Sequence, residues 1–287
     1  MAQKVIEIKK GDFHYPIGLL DVVQPPEVLY AIGDVSLLHH TMAAIVGSRK
    51  CSEYGKQTAM NLGKSLARGG IVTVSGMAKG IDSFGHLGAL REGGKTIAVL
   101  GCGVDFCYPT ENRKLYDQIA TEGLLLSEYP PGTKPMPFRF PQRNRIIAGL
   151  SEAIAVVEAG FDSGSLITAV LAEDMNRMVY AVPGNITSQW SLGTNKLIAD
   201  GATPLVVIED LVRAVGGSTA WKKEEYEELS ETERKVMEIL KAEGEVALEV
   251  LCVKMMMNPV DMNGIVMILE MKGYVATNFG KIFIANY

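Results

Sequence analysis

Seven short apolar runs recur along the first three quarters of the chain, and longer segments with helical spacing separate most of them. The runs are rich in Val, Ile, Leu and Ala, and they cover residues 43–47, 71–76, 96–101, 124–129, 153–159, 179–184 and 204–208. Continuous apolar runs are typical of strands buried on both faces, and their alternation with helices indicates βαβ units with right-handed crossovers. The pattern predicts an α/β fold with a doubly wound, mostly parallel sheet over residues 43–215.

The pattern changes near the C-terminus. Ser230 and Glu233 have the spacing of a capping box, and two further helices are predicted after this one, the last with Pro259 at its first position. Residues 274–287 then alternate as two strands around a turn. Three helices and a hairpin predict a small winged-helix domain over residues 230–287.

Two connecting regions have weaker signals. Residues 1–42 contain turn residues and apolar residues without a clear period, so we expect an N-terminal arm packed irregularly on the core. Residues 216–229 begin with two glycines and are rich in Glu, which predicts an acidic linker before the C-terminal domain. Residues 1–221 come to a net charge of only −1, although the whole chain of 287 residues carries −5. A local basic patch in the larger domain would therefore not be cancelled.

Composition excludes several classes of protein. No apolar run approaches the roughly 18 residues that a membrane-spanning helix needs, and the N-terminus lacks the apolar core of a secretory signal. We therefore expect a cytoplasmic protein without membrane contact. The four cysteines form no Cys-x-x-Cys pair and no cluster with histidine, so we expect free thiols, no metal site and no cofactor.

A basic segment stands out between residues 130 and 150, which contain four basic side chains, no acidic one and five prolines. Phosphates require Lys or Arg, and unstacked bases require aromatic faces. Proline holds such a loop extended and lowers the entropy lost on binding. The segment therefore predicts binding of a nucleic-acid strand, although a proline-rich crossover with a buried Phe140 is the alternative. The side chains concerned are Lys134, Phe138, Arg139, Phe140, Arg143 and Arg145.

Helix geometry separates two of these arginines. If a helix begins after Pro141, Arg143 shares a face with the apolar residues three, four and seven positions later. Arg145 lies about 200° around the helix from Arg143. We therefore expect Arg143 to lean into a crevice at the sheet edge, and Arg145 to face solvent or an incoming strand.

Small residues follow five of the seven predicted strands. In an open parallel sheet the carboxyl ends of the strands form the ligand-binding edge, and glycine there lets backbone N–H groups approach an anion. Arg49 and Lys79 would supply positive charge. The alternative is that each glycine only permits a tight turn, but several at one edge favour a phosphate-binding crevice. The segments are residues 47–49, 75–82, 101–103, 160–165 and 183–185.

No enzyme class fits these motifs. No Gly-x-Gly-x-x-Gly follows the first predicted strand, and residues 94–96 imitate the end of a P-loop but precede a strand instead of following one. The Gly-x-Ser-x-Gly of a nucleophile elbow is absent. Asp82 and His86 are four residues apart on a predicted helix and could orient a base, but a capping Asp and a packing His are the alternative. We assign no reaction and expect no enzyme.

The order of the motifs resembles the DNA-processing protein A family (DprA, also called Smf) over residues 14–210. The resemblance implies an extended Rossmann fold, a cytoplasmic location and no established catalysis. It implies a homodimer that binds and protects incoming single-stranded DNA and loads the RecA recombinase during natural transformation. The motifs are IVGSRKCSEYG (45–55), VSGMAKGIDSFGHLGAL (74–90), IAVLGCGVDFCYPTEN (97–112), LLLSEYPPGT (124–133), FPQRNRIIAGLS (140–151), VVEAGFDSGSLITA (156–169) and AVPGN (181–185) with GTNKLIADGA (193–202).

Motif matching carries the family's DNA-binding positions onto this chain. Most lie in four short motifs, and two lie in the basic loop, where the alignment is loose. The expected DNA-binding residues are Ser48, Arg49, Ser75, Gly76, Lys79, Gly80, Lys134, Phe138, Arg143, Asn144, Arg145, Ser163, Gly164 and Ser165.

Two departures from the family pattern qualify the expectation. The N-terminal arm is too short for the helical sterile-alpha-motif-like domain of many relatives, so any role of that domain must be absent or supplied elsewhere. The expected recognition helix, residues 259–272, contains Asp261 and Glu270 but only one base, Lys272. Because a groove-reading helix is normally basic, we expect this domain to be a protein-contact or dimer module.

Another class of function remains open. The nucleoside-monophosphate phosphoribohydrolases of the lysine-decarboxylase-like type have a similar Rossmann variant. Their Pro-Gly-Gly-x-Gly-Thr-x-x-Glu signature is missing here, since the comparable segment, residues 158–169, has no Glu after Gly164-Ser165. A purely structural scaffold is a third reading, which the basic crevice disfavours.

Overall fold

The computed structural model describes residues 4–218, 229–272, 274–278 and 280–284. The chain divides into two compact units, residues 1–219 and 220–287. Most of the predicted acidic linker, namely residues 219–228, lies outside the described residues. Within the described ranges, none of the helices has the length and apolar character needed to cross a bilayer.

The first unit is built on one nine-stranded sheet. Its order is β1-β2-β6-β5-β4-β3-β7-β8-β9, and every pair from β6 to β9 is parallel. The six neighbouring strands β5-β4-β3-β7-β8-β9 leave out β6. Numbered among themselves in chain order, they have the 3-2-1-4-5-6 order of a Rossmann sheet. The strands are β1 Ile6–Lys9, β2 Val28–Gly33, β3 Met42–Val46, β4 Val72–Ser75, β5 Thr96–Val99, β6 Leu124–Ser127, β7 Ala153–Val156, β8 Met178–Ala181 and β9 Thr203–Pro204.

Helices cover both faces of this sheet, because successive residues of the central strands point to opposite sides. Ala44 and Val46 pack in one apolar cluster with α4 and α5, whereas Ala43 and Ile45 pack in another with α1 and α7. The predicted doubly wound α/β fold is confirmed. The helices are α1 Glu53–Arg68, α2 Ile81–Arg91, α3 Arg113–Glu122, α4 Arg139–Leu150, α5 Gly164–Asp174, α6 Leu192–Asp200 and α7 Ile208–Ala214, with short 3-10 turns at Ile17–Leu20, Val35–His39 and Thr110–Asn112.

The N-terminal arm is more regular than predicted. Strand β2 pairs antiparallel with β6, and β1 pairs antiparallel with β2, so the arm extends the sheet at one edge. Leu19 is fully buried in the core, and the Tyr15 hydroxyl donates to the Pro26 carbonyl at 2.8 Å. The expectation of an irregular arm was wrong. Both strands are short and polar turn residues separate them, so their pattern in the sequence is too weak to predict strands.

The last predicted strand, residues 204–208, is also different. Only Thr203–Pro204 pair with β8, and α7 begins at Ile208. Proline has no N–H to continue a ladder and is confined to edge positions. The Leu205 N–H still donates to the Ala181 carbonyl at 2.8 Å, and the residues after Leu205 leave the sheet before α7.

The C-terminal unit contains the predicted three helices and a hairpin, together with one additional strand. Ser230 and Glu233 form the predicted capping box of α8. The three strands are antiparallel in the order β10-β12-β11. Assignment to the winged-helix class stays a prediction. The elements are α8 Glu231–Glu243, β10 Glu245–Ala247, α9 Leu248–Met255, α10 Pro259–Met271, β11 Val275–Asn278 and β12 Lys281–Ile284.

Candidate nucleic-acid interface

A cleft of about 610 Å³ opens at the carboxyl end of β3 and β7. Strand order reverses here, because the chain leaves β3 for β4 on one side and returns with β7 on the other. Open α/β sheets bind ligands at such a switch point. The cleft is lined by Val46, Gly47, Ser48, Arg49, Lys50, Ala78, Asp82, Phe140, Pro141, Arg143, Asn144, Ile147, Gly160, Asp162, Ser163, Gly164, Ser165 and Thr168.

A smaller cavity of about 80 Å³ shares part of this wall. Arg49, Ala78, Phe140 and Arg143 line both spaces. The smaller cavity adds the loop after β4 and the loop after β5, which extends the surface along the sheet edge. Its further lining residues are Gly76, Lys79, Tyr108 and Pro109.

Arg143 is buried at the floor of both spaces, with 4% of its surface exposed. Its guanidinium donates to the carbonyl oxygens of Gly76, at 2.9 Å, and Val99. Burial lowers the pKa of Arg143 to about 10. A Cβ on Gly76 would lie 2.5 Å from the guanidinium nitrogens, so glycine there makes room for the arginine. The predicted inward orientation of Arg143 is confirmed.

Arg145 turns away from the cleft, as predicted, but it does not face solvent. Both of its terminal nitrogens donate to the Glu128 carboxylate at 2.6 Å, and the side chain is 15% exposed. It also donates to the Gln24 carbonyl. Glu128 directly follows β6, a position from which it meets the outer side of α4. The expectation of solvent exposure was wrong because this bidentate ion pair covers the guanidinium.

Two buried acids near the cleft already accept hydrogen bonds from backbone amides, one at the N-terminus of α1 and one in the loop before α2. Glu158, which is 3% exposed, accepts from the Ser52 N–H at 2.8 Å and from its hydroxyl at the start of α1. Asp82 accepts from the N–H groups of Gly76 and Ala78 before α2. A carboxylate at a helix N-terminus satisfies the amide donors that an external anion would use. These turns therefore shape the cleft.

The N-terminus of α5 opens into the cleft. Ser163 caps the helix, accepting from the Ser165 N–H, and the two hydroxyls lie 2.8 Å apart. Nothing lies within 4 Å of a Cβ placed on Gly164. Asn144 on α4 donates to the Gly164 carbonyl at 3.2 Å, which ties the two helices together. A helix N-terminus with small residues and open space can receive a phosphate.

An aromatic and cationic stack lies beside Arg143. The rings of Tyr108 and Phe140 stack at 5.2 Å with an interplanar angle of 25°. The Arg49 guanidinium lies 5.6 Å from the Phe140 centroid. A Cβ on Gly101 would lie 2.8 Å from the Phe140 ring, so the ring packs closely on the loop after β5. Planar groups of this kind can stack with nucleobases.

Sequence reasoning missed Tyr108 and Lys50. Lys50 directly follows Arg49 and lines the cleft. Tyr108 lies beyond β5 and lines the smaller cavity. A search for aromatic residues in every loop at the carboxyl edge would have found Tyr108.

Some expected DNA-binding residues have structural partners instead. The Ser75 hydroxyl is fully buried and donates to the Ile45 carbonyl at 2.5 Å. Gly80 has φ of 78°, and a Cβ there would lie 2.3 Å from the Ser48 carbonyl oxygen. Both residues lie outside the lining of the two spaces and hold the neighbouring loops in place. The Ser48 hydroxyl donates to the Lys50 carbonyl at 2.7 Å, although Ser48 also lines the cleft.

The remaining expected residues are exposed. Lys79 pairs with Glu111 at 2.5 Å, and both side chains are exposed. Lys134 and Phe138 lie outside both spaces, in the segment before α4. Helix α4 begins at Arg139, earlier than predicted, since Pro141 is accommodated in its first turn. The Arg139 guanidinium lies over the rings of Tyr129 and Phe138.

Asp82 and His86 are buried in the first unit and do not form a catalytic pair. The Thr96 hydroxyl donates to the Thr73 carbonyl, so the His86 Nδ1–H donates to the Thr96 oxygen at 2.6 Å. Burial lowers the pKa of His86 to about 3 and raises the pKa of Asp82, with the Arg143 charge opposing the latter shift. The expected packing role of His86 is observed, but the expected capping role of Asp82 was wrong: Gly80 is the N-cap of α2, and Asp82 accepts instead from the loop N–H groups of Gly76 and Ala78. Within the described ranges, no group of three or more His, Cys, Asp or Glu could hold a metal ion.

Burial of neutral His86 predicts a specific loss of stability in acid. An unfolded His binds a proton below about pH 6.5, whereas folded His86 stays neutral down to about pH 3. Between these values acid favours unfolding by about 1.4 kcal/mol per pH unit for this group. His86→Asn retains a donor for Thr96 and removes the titration. Urea unfolding from pH 7 to pH 4 should therefore show a smaller decline in the variant, and equal declines would contradict this role.

The sequence and the structure of the chain match those of known proteins. The family model described as DNA recombination-mediator protein A matches residues 7–216. The chain belongs to this family. The DNA recombination-mediator match spans every residue of the cleft, and it confirms the resemblance carried by the sequence motifs. This is a family of DNA recombination mediators, not of enzymes.

Individual relatives agree with this assignment. The chain is 45% identical to DNA processing protein DprA of Bacillus subtilis over 198 residues, covering 69% of this chain and 67% of that protein. The crystal structure of DNA processing protein A from Streptococcus pneumoniae aligns with a TM-score of 0.71 at 43% identity, covering 74% of each chain. A structure describing the single-stranded DNA binding mode of the Helicobacter pylori protein aligns with a TM-score of 0.68 at 32% identity, covering 75% of this chain and 96% of that one.

Proposed function

We propose that the cleft binds single-stranded DNA, with the phosphates near Arg49, Lys50 and the N-terminus of α5, and with bases stacked against the Arg49, Phe140 and Tyr108 group. The observation that carries the proposal is this juxtaposition of a planar stack and a helix N-terminus in one open cleft. The structural relative from Helicobacter pylori, which is described as binding single-stranded DNA, supports it.

The expected DNA-binding residues have three different roles in this proposal. Ser48, Arg49, Asn144 and the α5 cap face the cleft and would contact DNA directly. One terminal nitrogen of Arg143 already donates to two backbone carbonyls, so Arg143 would act mainly through its positive charge and by shaping the floor. Lys79, Lys134 and Phe138 would contact a strand that extends beyond the cleft.

A base-releasing or other nucleotide-processing activity has less support. Such a reaction requires an acid or base free to act on the substrate. The buried acids nearest the cleft, Asp82 and Glu158, accept hydrogen bonds from the turns before α2 and α1. Asp162 is an acid in the cleft wall, but a single exposed carboxylate assigns no reaction.

Protection of incoming DNA, loading of RecA and homodimer formation extend the proposal, and they rest on the family relationship. A mediator that holds single strands can exchange them with a recombinase in the cytoplasm. RecA loading would appear as faster RecA-dependent ATP hydrolysis on DNA already covered by a single-strand-binding protein. If the rate of ATP hydrolysis by RecA did not increase, the loading role would be contradicted. That result would leave the proposal of DNA binding unaffected.

Replacing Arg49 provides a direct test of binding. Arg49→Ala removes a cation from the cleft wall, so oligo-dT should bind several-fold more weakly. The slope of log affinity against log salt concentration should become about 0.7 less steep for one lost phosphate contact to a single strand. Fluorescence anisotropy of labelled oligo-dT at several salt concentrations measures both quantities.

Arg213→Ala is the matched control, because it removes the same charge from an exposed arginine. Arg213 lies on α7, whose Val212 packs near Gly69 and Gly217, away from the cleft. The control should retain the wild-type affinity and salt slope. Equal losses in the two variants would indicate a general charge effect and contradict binding at the cleft.

A further inference from the structure

Lys79 lies at the rim of the smaller cavity and already has an anionic partner. Its ammonium donates to the Glu111 carboxylate at 2.5 Å, and the two side chains are 54% and 62% exposed. This hydrogen bond lowers the pKa of Glu111, so the carboxylate is ionised at neutral pH. Lys79 lines the smaller cavity together with Phe140 and Tyr108. A carboxylate of the protein therefore holds a cation that faces the proposed path of the strand.

The backbone that carries Lys79 is held in place by other side chains. Met77 is fully buried and has a φ of 54°, a left-handed conformation that is costly for a residue with a Cβ. Asn112 donates to the Met77 carbonyl at 2.9 Å, and the Ser83 hydroxyl donates to the Ala78 carbonyl at 2.5 Å. These contacts fix the loop, so the ammonium at the end of the flexible Lys79 side chain is the part that can change partner.

The turn that carries Glu111 is tied to the same loop. Asn112, the next residue, donates to the Ser83 hydroxyl as well as to the Met77 carbonyl, at 2.9 Å in both cases. Pro109, two residues before Glu111, lines the smaller cavity. The carboxylate is therefore held beside the ammonium at the edge of the cavity.

This ion pair can exchange for a DNA contact because both of its side chains are exposed. Water and salt screen exposed charges, so such a pair is weak. A DNA strand brings several phosphates at once, and counterions are released when a protein cation replaces them. A phosphate at the rim would therefore take the ammonium from Glu111. The carboxylate would then face the phosphates as a fixed like charge, which lowers the affinity.

We propose that Glu111 competes with DNA phosphate for Lys79 and thereby limits the affinity of the site for single strands. The inference rests on the proposed binding of DNA in the cleft. Affinity differences between closely related complexes lie mostly in the dissociation rate. Glu111 therefore speeds the release of a strand that Arg49 and Phe140 retain.

Glu111→Gln tests this competition, because it removes the charge and keeps the size of the side chain. Oligo-dT should bind the variant several-fold more tightly at low salt and dissociate more slowly, and the gain should shrink as salt screens the charges. In the Lys79→Ala background the same substitution should give a smaller gain, because no cation is freed. Fluorescence anisotropy measures the affinities, and stopped-flow fluorescence measures the dissociation rates.

Glu92→Gln is the matched control. Glu92 also pairs with a cation, since it accepts from the Arg68 Nε at 2.8 Å, and it lies outside the lining of both spaces. This variant should bind oligo-dT as the wild type does. An equal gain in Glu92→Gln, or equal gains from Glu111→Gln with and without Lys79, would overturn the proposal.

Unchanged or weaker binding by Glu111→Gln would also overturn the role of Glu111. If Arg49→Ala still lost affinity in the same experiment, the proposal of DNA binding in the cleft would stand. Absence of oligo-dT binding by the wild type would overturn both proposals.

Discussion

Arg143→Ala should destabilise the chain by about 3 kcal/mol. Arg143 is almost fully buried, and its removal leaves the carbonyls of Gly76 and Val99 without their charged donor. Charge-assisted hydrogen bonds contribute about 1.5–3 kcal/mol each, and unpaired buried polar groups cost a similar amount. Urea unfolding followed by circular dichroism measures the change through the midpoint and slope.

Arg139→Ala on the same helix is the control for Arg143→Ala. Its guanidinium lies over surface aromatic rings and donates to the Lys134 carbonyl. Loss of such a partly exposed interaction should cost under about 1 kcal/mol. If Arg143→Ala were no more destabilising than Arg139→Ala, the structural role of Arg143 at the floor of the cleft would be contradicted. The Arg143 guanidinium would then be free to bind a ligand.

Phe140→Ala should weaken oligo-dT binding by about tenfold or more. The ring contacts both the Arg49 guanidinium and the Tyr108 ring, so its loss disorders the whole stacking group. Base stacking on an aromatic side chain contributes about 1–3 kcal/mol per base. The salt slope should change little, because no phosphate contact is removed.

Phe13→Ala is the matched control for Phe140→Ala. Phe13 is 83% exposed on the N-terminal arm and lies outside the lining of both spaces. Affinity of this variant for oligo-dT should equal that of the wild type. Wild-type affinity in Phe140→Ala, with the fold intact by circular dichroism, would contradict the stacking role.

The sheet could be predicted from sequence because its central strands are buried on both faces. Continuous Val, Ile and Ala runs are readable without knowledge of their neighbours, as for β3 and β7. Strand β2 depends on pairing with β6, and the edge strand β1 depends on pairing with β2, so their short patterns do not stand out from the turns around them. Tertiary pairing, and not local propensity, makes residues 28–33 a strand.

The site was only partly predictable for a related reason. Helical periodicity correctly separated Arg143 from Arg145, since spacing around one helix is a local property. The partner of Arg145 is distant in sequence, and nothing near position 145 indicates that Glu128 will meet it. In the same way, Glu158, the acid that fills the N-terminus of α1, is 106 residues from Ser52.

Photochemical crosslinking shows whether single-stranded DNA binds in the cleft. Ultraviolet irradiation of the wild-type chain with oligo-dT, followed by mass spectrometry of the joined peptides, reports which residues touch the bases. We expect crosslinks at Phe140 or Tyr108 and in the loop that carries Arg49 and Lys50. Crosslinks confined to the C-terminal unit, or to the arm around Phe13, would contradict it.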